Sequence, residues 1–143
     1  MTPQTPRQVH VALIARLRTD PALVVFDGEP GEHGRPTVPT AKDGTANPYV
    51  IAWPPTGHRE HGRLAPGYSA RRSRLWVTVA GGDTTRCLWA LERVENLLDG
   101  WPPTGDARRG RLTHDLDPGP PQVDRDVDPH RVYVVTQWTL TGH

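Results

Sequence analysis

The stretch "VTVAGGDTTRCLWALERVENLLDGW", residues 77–101, decides how this chain folds. It runs from a β-branched segment through two adjacent glycines into a helical pattern. Strand, glycine turn and helix N-terminus also compose the backbone cradle that binds phosphate, because unpaired amides and the helix dipole converge there. The phosphate reading needs more than this turn offers. A P-loop requires a lysine that reaches the phosphates, and a dinucleotide fingerprint requires a third glycine. The turn has neither. Gly81 and Gly82 are therefore expected to reverse the chain, with Asp83 or Thr84 capping the helix through a side-chain oxygen.

The helix that follows has a clear apolar stripe. At 100° per residue, Cys87, Leu91, Val94 and Leu98 align, with Leu88 at the edge, and this side is expected to face the core. Cys87 then reads as a small buried hydrophobe. Trp89 falls almost opposite, among Glu92, Arg93 and Asn96. An indole on a polar helix face has two readings. Either a long loop folds over it, or it anchors an interface, where Trp and Arg are enriched.

Outward from this helix the elements fall into place. Upstream, "RLWVTVA" and "PYVIAW" predict strands, the second with Tyr49, Ile51 and Trp53 on one face and Pro54-Pro55 closing it. "ALVVFDG" predicts a short strand ending in an Asp-Gly turn. Before it, "TPRQVHVALIARLRTDP" predicts a helix capped by Thr5, with Pro6 at its first position and Gln8 completing a capping box. Val9, Leu13 and Leu17 share a stripe, and Asp20-Pro21 stops the helix. Downstream, "RVYVVTQWTL" alternates cleanly, with Val132, Val134, Thr136, Trp138 and Leu140 on one face. A short strand is expected at "GRLTHDL". The sum is an α+β fold: a mostly antiparallel sheet of about four to five strands with two helices on one face. Residues 28–48, 54–72 and 113–130 read as long irregular loops, lengths that point to function or to ordering on a partner.

Size and composition bound the rest. The 143 residues fit one domain, and 30 of them are Pro or Gly, which suits long loops. Phe26 is the only Phe, so the core must rest on Val, Leu, Ile and five Trp. A net charge of +1 selects for neither nucleic acid nor membrane. Arginine supplies 16 of 17 basic residues, Lys42 being the exception, which suits the coding bias of a GC-rich genome. Cys87 stands alone, excluding a disulfide framework. No signal-peptide pattern or membrane-length apolar run occurs, so a soluble protein made in a cytoplasm is expected.

Candidate chemistry lies in several segments. "GHREHG" sets His58 and His61 three apart with Glu60 between and His33 in the preceding loop, and His-rich clusters hold zinc. "THDLD" adds His114, Asp115 and Asp117. A flexible loop aims none of these at a common point, so no metal ligand is assigned. "DRDVDP" begins like a calcium loop with Asp124, Asp126 and Asp128, but Pro129 and Val135 stand where the loop needs Gly and Glu. Ser69 and Ser73 lack a nucleophile elbow, and Cys87 lacks a nearby histidine. The arginines at 71, 72 and 74, and at 108, 109 and 111, are expected to be solvated or paired with the acidic loop 115–128. No catalytic residue and no cofactor is assigned.

The order of segments resembles a family. A first helix leading into "ARLRTDPAL", then "NPYVIAW", then "RLWVTVAGGD" running into "ALERVENLLDGW", and last "RVYVVTQWTLT", is similar to the tail-terminator, or tail-completion, proteins of tailed bacteriophages and related tail-like particles. The resemblance covers most of the chain. It implies a structural virion protein, assembled in the host cytoplasm, that forms a ring of six copies on the last ring of the tail tube. That ring stops tube polymerisation and presents a surface to the head-side connector, with DNA only passing through the lumen. It implies no catalysis, cofactor or membrane. Trp89, Arg93 and Asn96 are the residues expected at the subunit contact. The alternatives are a head-closure or adaptor protein and, from another class, a small metal-dependent hydrolase built on His58, His61 and Asp115.

Overall fold

Helix α1 (Pro6–Leu17) starts where the capping box predicts. The Gln8 amide donates to Thr5 Oγ1 at 3.2 Å, and the Thr5 amide donates to Gln8 Oε1 at 2.9 Å, so two otherwise orphaned donors are satisfied at once. Its stripe of Val9, Leu13, Ile14 and Leu17 is buried. The structure, a computed structural model, describes residues 5–29, 31–32, 35–61, 69–115 and 118–142.

The strands follow in the order β1 (Val25–Asp27), β2 (Gly31–Glu32), β3 (Arg35–Pro36), β4 (Tyr49–Ala52), β5 (Thr56–His61) and β6 (Ser69–Gly81). Helix α2 (Thr84–Leu98) comes next, then β7 (Thr113–His114), β8 (Gln122–Asp124) and β9 (Arg131–Gly142). The main path through the sheet is β1-β4-β6-β9-β7, with β5 beside β6 and β8 beside β9; β2 and β3 form a separate hairpin. Every pair in the main sheet is antiparallel except β1 with β4. The expected α+β architecture with two helices on one face is the one observed.

The spine is β6 against β9, continuous from Arg71↔Gly142 to Gly81↔Val132. Leu75, Val77 and Val79 of β6, with Val132, Val134, Trp138 and Leu140 of β9, meet Leu13 and Leu17 of α1 and Cys87, Ala90, Val94 and Leu98 of α2 in the main core. Burial pushes the Cys87 thiol up to about 11, so at neutral pH it is a packed, protonated group. The stripe of α2 is narrower than its sequence suggests. Ala90 is buried on it, whereas Leu88 is 45% exposed, because the contact line through positions 87, 90, 94 and 98 leaves 88 a full 100° away.

The long loops are not bare. Val38, Ala46 and Val127 pack with Tyr49, Ile51 and Ala80 in a second cluster, so segments 37–48 and 124–130 cover the sheet face opposite the helices. Arg131 ties this layer together. Its Nη1 donates to Glu29 Oε1 at 2.8 Å and to Tyr49 Oη at 2.6 Å, and its Nε donates to Asp124 Oδ2 at 3.1 Å. Burial pushes the Tyr49 hydroxyl above its ordinary range, an effect that Arg131 opposes. Among the described residues Asp124 pairs with Arg131, Arg108 pairs with Asp106, and Arg111 donates to the Gly100 carbonyl.

The segment 54–72 departs most from expectation. Strand β4 stops at Ala52, ahead of Pro54-Pro55 as expected, but a further strand, β5, follows from Thr56. Ala52 faces Val77 and Thr56 faces Arg74, so four steps on one strand match three on the other, which defines a one-residue bulge. Prolines suit that place because a bulge needs fewer amide donors. Strand β6 also begins at Ser69, earlier than the apolar pattern indicates. The sequences of these outer halves are polar, and they pair with one another from Thr56↔Arg74 to His61↔Ser69.

The glycine turn answers the opening question. A Cβ on Gly81 would lie 2.8 Å from Arg86 Cβ and 2.9 Å from the Cys87 amide, and one on Gly82 would lie 2.8 Å from the Ala46 carbonyl oxygen. The pair lets α2 sit hard against the end of β6 while the 37–48 loop crosses behind it. Asp83 accepts from the Arg86 amide at 2.8 Å, so a carboxylate of the chain itself occupies the helix N-terminus. It is a packing turn. Gly81→Ala is expected to lower unfolding free energy by about 1–3 kcal/mol, since the Arg86 Cβ and the Cys87 amide are both fixed to the α2 backbone and cannot yield cheaply. Urea unfolding checks this, and an unchanged midpoint would contradict the packing account. Among the described residues no helix is long and apolar enough to cross a membrane.

Candidate interaction surface

Helix α2 presents Trp89, Arg93 and Asn96 on its outer side, one turn apart in succession, because positions three and four apart share a face. The three do come together. With Asp20, Glu92 and Leu97 they line a recess of about 380 Å³. The Arg93 guanidinium lies 4.5 Å from the centroid of the Trp89 ring, a cation–π contact. Its Nη1 also donates to Asp20 Oδ2 at 2.7 Å. That hydrogen bond is the main reason the Asp20 carboxyl is held below the usual range; burial pulls the other way. Arg93 therefore bridges α2 to the turn after α1.

Trp89 itself is half-buried, one flank packed on the main core. On its far side lies a second recess of about 340 Å³, with walls from Ala22, Val24, Asn47, Pro48 and the helical residues Thr85 and Arg86 at the start of α2. Val24 there is 39% exposed. The indole is a ridge between a polar recess and a mainly apolar one. The 37–48 loop reaches its edge at Pro48, and the indole stays partly exposed.

Arg86 fixes that loop. It donates to Thr45 Oγ1 and lies 3.4 Å from Asp43 Oδ2, so the wall of the apolar recess is pinned to α2. Two participants were not legible as site residues. Asp20 reads as a helix stop and Pro48 as a strand boundary, and only the fold brings them beside Trp89.

Thr56–His61, expected as a loop, is a strand. The side chains of His58, Glu60 and His61 fall outside what the structure describes, as do residues His33 and Asp117. His114 instead stacks on Trp138, with centroids 4.5 Å apart, and its Nδ1 is 3.9 Å from Glu95 Oε1. Asp115 accepts from Gln137 Nε2 at 2.9 Å and from Thr139 Oγ1 at 2.5 Å, so it ties β7 to β9. Among the described residues no group of three or more His, Cys, Asp or Glu is arranged to hold a metal ion. Another pair, His10 Nε2 with Asp27 Oδ1 at 2.7 Å, joins α1 to β1.

No protein-family model matches this chain, and no curated protein matches it significantly.

Proposed function

We propose that this chain is a ring-forming structural subunit that ends the tail tube of a tailed bacteriophage or related tail-like particle. The observation that supports it best is the Trp89 ridge. A half-buried indole, pre-positioned by Arg93 and flanked by two recesses, has the composition of an interface anchor and leaves part of its surface for a partner. The order of elements that resembles tail-terminator proteins supplies the biological setting. In a ring the contacts are heterologous, so the outer face of α2 on one copy meets a different surface on the next. The tube's last ring and the head-side connector are then the neighbours above and below.

Deleting the gene and imaging particles by negative stain tests the role. Overlong, headless tails are expected. Tails of normal length that fail to join heads would move the protein to head closure, and normal particles would sink the reading. At the level of the subunit, Trp89→Ala is expected to abolish ring assembly while changing monomer stability by only about 1 kcal/mol, since the indole is half-exposed. Light scattering paired with thermal unfolding separates the two effects. Rings that form normally from this variant would remove Trp89 from the contact.

A further inference from the structure

We propose that the open half of the sheet face opposite the helices binds single-stranded nucleic acid, with a base stacked on Trp76 and a phosphate on Arg74, a role independent of the ring contact at Trp89. The net charge of +1 conceals a segregation: residues 56–74 hold five arginines against one carboxylate, Glu60. A local excess of this kind attracts polyanions whatever the total charge.

Successive residues of a strand point to opposite faces. Leu75, Val77 and Val79 of β6 are buried against the helices, so Arg74, Trp76 and Thr78 stand on the other face. At one end that face is covered, and Thr78 is buried there. Toward Arg74 the cover ends. Arg74 is exposed and Trp76 half-buried; on the neighbouring β9, Val135 is 43% exposed and Gln137 and Thr139 are half-buried. Among the described residues Arg74 has no hydrogen-bond or ion-pair partner. In register, Thr56 and Thr139 stand on either side of Arg74, and the next row outward sets Arg72 between His58 and Thr141. Neither row holds a carboxylate. Asp115, at the flank of this face, is taken up by Gln137 and Thr139.

Arginine forks and hydroxyls are the groups that contact phosphate. The indole adds what a phosphate-only surface does not need, a platform for an unpaired base. Arg74 and Trp76 are two residues apart on one strand, about 7 Å, so one ligand reaches both. A duplex keeps its bases stacked inside and leaves the indole unused. A run of carboxylates offers charge but no flat ring.

Fluorescence anisotropy tests this with the full-length chain and a labelled oligothymidylate of about 20 nucleotides, with the matching duplex and polyglutamate as competitors. The single strand is expected to bind about tenfold more tightly than either competitor. Arg74→Gln, at an exposed position, is expected to weaken binding several-fold and to lower the salt slope by about 0.7. Trp76→Leu keeps apolar bulk and is expected to cost about tenfold, while Trp76→Phe keeps most of the affinity. Thermal unfolding of the same variants confirms that they are folded. No binding of the single strand, or binding that survives both Arg74→Gln and Trp76→Leu, would overturn the proposal. Equal or tighter binding of the duplex would overturn it in favour of phosphate contact alone, and a preference for polyglutamate in favour of an acidic protein partner.

Discussion

Trp138→Ala is expected to lower the unfolding free energy by about 3–5 kcal/mol, the largest effect of any single substitution considered. The side chain has no solvent exposure and stands at the centre of the helix-facing side of β9. Truncation empties a volume that no neighbour can refill, because the two strands on which that side rests are locked in continuous register. It also severs a short polar chain. The indole Nε1 donates to Thr136 Oγ1 at 2.9 Å, and that hydroxyl donates to the Val77 carbonyl at 2.7 Å. The His114 ring, stacked on the indole with planes 13° apart, loses its support as well. Total stability of a domain is about 5–15 kcal/mol, so the variant should stand near its threshold at 37 °C. Urea unfolding measures it, and a loss below about 1 kcal/mol would mean that the indole contributes little packing.

Arg131→Ala is expected to cost about 3 kcal/mol, toward the lower end for breaking a buried ion pair because 12% of the side chain remains exposed. The reason is what stays behind. Glu29 and Asp124 would keep their charges without the cation between them, and the buried Tyr49 hydroxyl would lose its donor. Tyr49→Phe removes one arm only and is expected to cost about 1 kcal/mol. Equal losses for the two variants, read from the same unfolding curves, would show that the carboxylates are solvated and not held by Arg131.

The terminal strand and the second helix were legible because each has one dominant period over ten or more residues. Val132 to Leu140 alternates at a period of two, and Cys87 to Leu98 repeats at helical spacing. The capping box at Thr5 and Gln8 is local chemistry and was legible for the same reason. Strand β5 was not, since "TGHREH" has no apolar alternation and is ordered by pairing with residues 69–74. The role of the 37–48 loop was hidden too. Its buried positions, Val38 and Ala46, are isolated apolar residues among polar ones, and only the sheet face that they cover gives them meaning. Of the candidate surface, the Trp89-Arg93 spacing was visible on a helical wheel. Asp20 and Pro48 reach it through chain reversals that no local pattern encodes. Arg131 likewise meets Tyr49 and Glu29 from 82 and 102 positions away.

The position of β9 sets a timetable for synthesis. It is the last strand in chain order, yet it lies inside the sheet, with β6 on one side and β7 and β8 on the other. A nascent chain on the ribosome can form α1, α2 and the β4–β6 pair early, but Leu75, Val77 and Val79 then have an open flank until residues 131–142 emerge. Contacts spanning some 60 residues are slow to form, and an unpaired apolar strand invites pairing with the wrong chain. Copies made on one polysome are therefore vulnerable to aggregation for as long as β6 waits for β9, and a chaperone that shields β6 in that interval would raise the yield of folded subunits.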